Sequence, residues 1–198
     1  LNSGFGRVVA NVNYKAQGES NFSTQGEINA FRINLAAITG NDSLGFATLN
    51  SNFTAELQNG NFSADTIGLN VKSIQYNNYT YEGIKLNGSF VDSILFANLR
   101  YEDENLDFDI NTNADLNADN SSLVLNGNIN EINLLKLNLS PDSIILSTEM
   151  HANIKNLDLD SLNGFFRLSN TSLIEGAIKY DLDTFQIRAA TGDSIRSI

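Results

Sequence analysis

Apolar and polar residues alternate along almost every strand-length stretch of this chain, which predicts β-strands with one greasy face. Val8, Ala10, Val12 and Tyr14 open the beat, and it continues from Phe22 to Ile28, from Phe53 to Leu57, and through Ile67, Leu69 and Val71. Leu106, Phe108 and Ile110, then Ala114 and Leu116, face one way, while Asp107, Asp109, Asn111, Asn113 and Asp115 face the other. Met150, Ala152 and Ile154, then Phe166 and Leu168, then Ile178, Tyr180 and Leu182 complete the set. The spacing predicts roughly fourteen strands of about eight to ten residues, which at about 4.8 Å between strands makes a sheet on the order of 65 Å long.

A phrase of the form L-N-G-x-[F/I] returns at Leu86-Asn87-Gly88-Ser89-Phe90, Leu125-Asn126-Gly127-Asn128-Ile129 and Leu162-Asn163-Gly164-Phe165-Phe166, with looser versions at Gln25-Gly26-Glu27-Ile28 and Asn59-Gly60-Asn61-Phe62. Recurrence at this interval is a signature of repeat architecture. Asn-Gly ordinarily signals a type I′ hairpin. Here Ile84, Leu86, Gly88 and Phe90 share one parity, as do Leu123, Leu125, Gly127 and Ile129, so the glycine is read as an apolar-face slot inside a strand, a place where a curved wall is pinched or left open. The hairpin turn is the alternative. Residues 31–38 and 132–139 lose the alternation, and each run is read as a helical turn or a corner closing over the apolar face. They make Gly26 and Gly127 equivalent points, with Asp42-Ser43-Leu44 answering to Asp142-Ser143-Ile144.

A sheet of this kind hides its apolar face against a second sheet, in a closed barrel, or by folding along its length into a groove. A transmembrane barrel carries aromatic girdles at its strand ends. This chain has no Trp, and Tyr76, Tyr79 and Tyr81 fall in one hairpin. The 30 Asn suit turns and solvent-facing strand positions, and no linker or change of composition divides the 198 residues. The expectation is therefore one continuous repetitive β segment, residues 1–198, of a longer protein, because both ends break off inside the pattern. A net charge of −11 makes nucleic acid and anionic membrane surfaces poor partners for its exterior. No apolar run is long enough for a helical membrane span.

The run Ile74-Gln75-Tyr76-Asn77-Asn78-Tyr79-Thr80-Tyr81-Glu82-Gly83-Ile84-Lys85-Leu86-Asn87-Gly88-Ser89-Phe90 resembles the central repeats of TamB-like proteins, the inner-membrane subunit of the translocation and assembly module, in their Asn-rich Bacteroidota form. Gly127-Asn128-Ile129-Asn130-Glu131-Ile132-Asn133-Leu134 is similar to the same repeats and to the wider AsmA-like group. The resemblance implies an all-β fold with few or no helices, an elongated, curved sheet folded into an apolar-lined half-pipe (the β-taco form). It implies a periplasmic segment of an inner-membrane-anchored protein of a Gram-negative bacterium, reaching toward an outer-membrane partner of the Omp85 class through other parts of the whole protein. Phospholipid acyl chains would pass along the lining in support of outer-membrane biogenesis, without catalysis or cofactor. Carried over position by position, that lining is Val8, Val12, Phe22, Ile28, Phe53, Ile84, Leu86, Phe90, Leu106, Phe108, Ile110, Leu123, Leu125, Ile129, Met150, Ile154, Phe166, Leu168, Ile178 and Tyr180.

Asp-Ser/Thr followed by an aliphatic residue places Ser43, Thr66, Ser93, Ser143, Ser161 and Ser194 in sequences that resemble the O-glycosylation acceptor of Bacteroidota periplasmic proteins. Equally, such turns lead into strands, and strand entry is the expected role. Asp158-Leu159-Asp160 and Asp181-Leu182-Asp183 each set two carboxylates on one strand face, short of the oxygen set Ca²⁺ needs. His151 is the lone histidine and cysteine is absent, so zinc sites and His-dependent triads lack their parts. Two further classes stand beside the conduit: an extracellular structural or adhesive β-solenoid whose apolar interior is simply its core, and a glycan-active enzyme, which lacks a placed acid/base pair and stacking aromatics.

Overall fold

The computed structural model describes residues 2–18, 20–117, 120–158, 160–191 and 196–197. Strands take 74% of the chain and helix 3%, so the all-β expectation with few helices holds. The chain divides into two compact units, residues 1–92 with 99–103, and residues 93–98 with 104–198.

The first unit holds β1 (Asn2–Ser3), β2 (Gly6–Ala16), β3 (Phe22–Asn34), the five-residue helix α1 (Leu35–Thr39), β4 (Leu44–Gln58), β5 (Asn61–Tyr76), β6 (Tyr79–Tyr81) and β7 (Ile84–Val91), together with the end of β8 (Ile94–Glu102). The second holds the start of β8, then β9 (Leu106–Asp115), β10 (Ser122–Asn133), β11 (Ile144–Lys155), β12 (Asn163–Glu175), β13 (Ile178–Thr191) and β14 (Arg196–Ser197). In each unit neighbours in sequence are antiparallel neighbours in space: β1 to β5 and then β7 in the first, β9 to β14 in the second, with β6 also on β5. Each is a curved, unclosed sheet.

Local chemistry sets the turns. Asn59-Gly60, Asn77-Asn78 and Asp92-Ser93 each place two consecutive residues at positive φ, the type I′ requirement that Asn, Asp and Gly meet most cheaply. Asn59-Gly60 is therefore the hairpin from β4 to β5, which corrects its reading as an in-strand phrase. Gly26, Gly88 and Gly127 do lie inside β3, β7 and β10 as the parity argued, and Gly164 lies near the start of β12. The first non-alternating run is a bulge followed by a helix. Arg32 sits at φ 47 where β3 slips against β4, and its guanidinium lies 4.7 Å from the Phe46 ring centre. Asn34 then caps α1 by accepting the Ala37 N–H at 3.0 Å, and Gly40 closes it at φ 72. The second run forms turns without a helix, with Asn133 accepting the Lys136 N–H at 3.1 Å.

The fully enclosed interior is small. Ala30, Ala47, Ala55, Ala64, Val71 and Tyr101 are buried in the first unit, and Ala114, Leu137, Ala152 and Thr148 in the second. Large apolar side chains thus remain partly in water while alanines fill the floor.

Candidate functional site

Directly opposed residues of an antiparallel pair share a face, so the register says which side chains lie side by side. In the first unit Val12, Gly26, Phe53, Ile67 and Gly88 form one row across five strands. Beside it run Ala10, Ile28, Ser51, Leu69 and Leu86, then Val8, Ala30, Leu49, Val71 and Ile84. Phe22 stands opposite Leu57, itself opposite Phe62, whose ring centre is 6.2 Å from that of Phe90.

The second unit repeats the design. Ile110, Gly127, Met150, Leu168 and Phe185 form a row, with Leu125, Ala152, Phe166 and Ile187 on one side and Phe108, Ile129 and Thr148 on the other. Leu123 and Ile154 meet Gly164 nearer one end, and Leu106, Ile132, Leu146, Leu173 and Tyr180 cross toward the other. Ile178, at the start of β13, lies opposite Glu175. Every lining residue in the interior strands is half-buried, whereas Val8, Val12, Ile178 and Tyr180, on the outermost long strands, are exposed.

Glycine recurs in these rows because a large neighbour uses its space. A Cβ at Gly26 would stand 3.0 Å from Phe53 Cζ and 2.9 Å from the Asn11 carbonyl, and one at Gly127 would meet Met150 Cε at 2.7 Å. Phe53 and Met150 lie over their glycines and fill the slots. Leu173 escaped the sequence reading because an extra residue in β12, at the bulge opposite Ser147–Glu149, shifts its parity against Phe166 and Leu168, whereas Leu146 keeps the parity of Met150 and Ile154.

The opposite face is polar and tied along rows. Asn98 donates to Asp109 at 2.8 Å and to Asn111 at 3.0 Å, Asn130 donates to Asp107 at 2.7 Å, and His151 Nδ1 sits 2.7 Å from Asn126 Oδ1. An open hollow there is lined by Asp109, Asn126, Asn128, Glu149, His151 and Ser169. Among the described residues no group of three or more His, Asp or Glu is placed to hold a metal ion. Asp158 and Asp160 lie in the turn after β11, not on a strand face, and Asp158 accepts the Asp160 N–H at 2.9 Å. Asp181, fully exposed, binds Lys179 at 2.9 Å, which lowers its pKa.

One polar cluster is set into the first unit. Tyr79 donates to Asp103 at 2.6 Å, Tyr101 donates to the same carboxylate, and the Glu82 N–H reaches the Tyr101 hydroxyl at 3.4 Å. Burial, reinforced by Asp103, pushes the Tyr101 hydroxyl well above the usual phenol range. Tyr79 and Tyr81 meet edge to face at 4.8 Å. A neutral phenol locked on a carboxylate in this way is a structural tie.

The Asp-Ser phrases mark strand entries in most cases: Ser43 precedes β4, Ser93 precedes β8, Ser143 precedes β11 and Ser161 lies just before β12. Thr66 departs from this, being inside β5 at a bulge, and Ser194 lies outside the described residues. Three of these serines use the backbone carbonyl alike, accepting the N–H of Asn77 at 2.8 Å, Leu116 at 2.8 Å and Gly176 at 3.0 Å respectively. The hydroxyls of Ser43, Ser143 and Ser161 belong to exposed residues.

Comparison with protein-family models, characterised proteins and solved structures finds no match. The only helix among the described residues is α1, and no helix is long and apolar enough to cross a membrane. What the molecule offers is the pair of apolar sheet faces.

Proposed function

We propose that this chain is a segment of a TamB-like lipid conduit, a periplasmic half-pipe whose apolar face shields phospholipid acyl chains between the inner and outer membranes and which acts without catalysis. The observation that carries the reading is the partial exposure of whole rows of large apolar residues over a floor of alanine and glycine. A sealed core would bury these side chains. The antiparallel pairing of successive strands also favours an open sheet over a solenoid, which stacks its coils in parallel.

The energetics suit transport. Each buried methylene gains about 0.8 kcal/mol, so a sixteen-carbon tail gains roughly 12 kcal/mol on such a face, about what it had in a bilayer. Movement along the face is then nearly level, and rows without charges offer no grip that would hold a head group in place. The Omp85-class partner and the inner-membrane anchor belong to other parts of the whole protein in this reading.

Native mass spectrometry of the purified chain tests it, with phospholipid expected to co-purify. Leu125→Arg, at a half-buried leucine in the row with Ala152 and Phe166, should stay folded by circular dichroism and lose the lipid, because its side chain can turn to water. Val124→Arg, on the opposite face, should retain both. An unfolded Leu125→Arg chain would point to a packed core, where an unpaired charge costs several kcal/mol. A folded variant carrying parental amounts of lipid would equally defeat the proposal.

A further inference from the structure

One dipeptide, Asn-Gly, occurs at Asn59-Gly60, Asn87-Gly88, Asn126-Gly127 and Asn163-Gly164, and the fold gives these four copies unequal surroundings. In such a step the asparagine side-chain carbon can be attacked by the next main-chain nitrogen, and glycine puts no side chain in the way. The attack needs a nitrogen outside any hydrogen-bonded ladder and a main chain that can rotate toward it.

Three copies are held against this reaction. Asn87-Gly88 lies inside β7 opposite Gly68 and Ile67. Asn126-Gly127 lies inside β10 between Asn111-Ile110 on one side and His151-Met150 on the other, and Gly164 lies between Ile154 and Ala189. Each is paired into the sheet, so the ring closes only after a strand has opened. Asn126 Oδ1 is also 2.7 Å from His151 Nδ1, and the Asn153 carbonyl packs against Gly164.

Asn59-Gly60 is placed differently. Gln58 pairs with Asn61, so the turn from β4 to β5 sets Asn59 and Gly60 outside the ladder, at φ 53 and φ 84. Both residues are exposed, and a Cβ on Gly60 would meet no atom within 4 Å, so water and base reach the Gly60 nitrogen. The Asn59 N–H donates to Asn21 Oδ1 at 2.9 Å, which anchors the turn through its backbone rather than through the side-chain amide that reacts.

We infer that Asn59 is the site at which this chain deamidates first, ahead of the three strand copies. The Gly60 nitrogen gives its proton to a base and attacks Asn59 Cγ. The new C–N bond closes a succinimide ring as the Cγ–Nδ2 bond breaks, and Nδ2 leaves as ammonia, taking the proton back from the base. Water then adds to one ring carbonyl and opens the ring to aspartate or isoaspartate, with no change of oxidation state. Aspartate before glycine still suits the turn. Isoaspartate adds a methylene to the main chain and draws the amide at position 59 away from Asn21, which loosens the hairpin from the segment leading into β3. No lipid takes part, so the inference stands apart from the conduit reading.

Peptide mapping by mass spectrometry tests it, on folded chain incubated at mildly alkaline pH. Deamidation at Asn59 should outpace each strand copy by at least about tenfold, since a paired strand reacts only in its open fraction. Protein isoaspartate methyltransferase should label the Asn59 peptide of the same sample. In guanidinium the four steps should converge to within about threefold, because each is then the same dipeptide in an open chain. Asn59→Asp, which keeps the turn chemistry, should abolish the early product and leave the slow strand products unchanged. Equal rates in the folded chain, a strand copy that reacts first, a mass gain at Asn59 without methyltransferase labelling, or a preference for Asn59 that persists in guanidinium would each overturn the inference.

Discussion

The two corners of this molecule start from one phrase and end differently. Ile33-Asn34-Leu35 leads into α1, and Ile132-Asn133-Leu134 leads into a run of turns. Both asparagines donate their backbone N–H backward at 2.8 Å, to the Phe5 carbonyl and to the Asn105 carbonyl, and both side chains accept an N–H three residues on. Four residues past each asparagine the likeness fails: Ile38 is 59% exposed and Leu137 is 0% exposed. The left-handed residue accounts for the divergence. In the first corner it is Gly40, while in the second it is Asn138, one position earlier relative to the shared phrase. Asn tolerates that conformation and β-branched Thr39 does not, so the first chain completes its turn of helix and the second leaves it early. The corresponding side chain is buried in one corner and left outside in the other.

The largest expected effect comes from truncating that side chain. Leu137→Ala removes a fully enclosed leucine and should cost about 2–5 kcal/mol, whereas Ile38→Ala should change stability by no more than about 0.5 kcal/mol. Denaturant unfolding checks the pair, and amide exchange shows whether the loss stays within the second unit. Equal costs would mean that the corners are interchangeable after all.

The matching glycines sharpen the comparison at smaller scale. A methyl at Gly26 meets a backbone carbonyl and the rigid Phe53 ring, but one at Gly127 meets chiefly the flexible end of Met150. Gly26→Ala should therefore cost about 1–3 kcal/mol, and Gly127→Ala less than about 1 kcal/mol, because Met150 can swing aside. Thermal unfolding of the two variants should rank them in that order. Reversal would mean that Met150 is held more tightly than Phe53.

Much of this was legible in the residues, and the part that was not has identifiable causes. Parity alone separates the two uses of Asn-Gly: Leu86, Gly88 and Phe90 keep one parity through an in-strand glycine, while Leu57 and Phe62 change parity across the Asn59-Gly60 hairpin. The Asp-Ser steps at residues 42, 92 and 142 are spaced by fifty, a regularity open to inspection. Their shared use of a backbone carbonyl was hidden, because a carbonyl leaves no mark in sequence. Bulges at Arg32 and Asn170 were hidden too, since both are ordinary residues taking positive φ, and each re-aims the strand beyond it. The tie from Tyr79 and Tyr101 to Asp103 joins residues on separate strands, which periodicity along one strand does not reveal.

The smallest expected effect tests what the corners share. Asn34 and Asn133 each satisfy one N–H that would otherwise face solvent, at 3.0 and 3.1 Å, and neither bond is enclosed. Alanine at a capping position typically costs about 1 kcal/mol, a shift of roughly 2–4 °C in a chain of this size. Asn34→Ala and Asn133→Ala should lose nearly the same amount, although one caps a helix and the other a turn, because the side chain performs the same act before the two paths part. Aspartate should retain the bond at either position, and differential scanning calorimetry can rank the four variants. A loss confined to Asn34 would make the cap a property of α1; matched losses would place the common design of the corners in the first three residues and their difference in the later left-handed step.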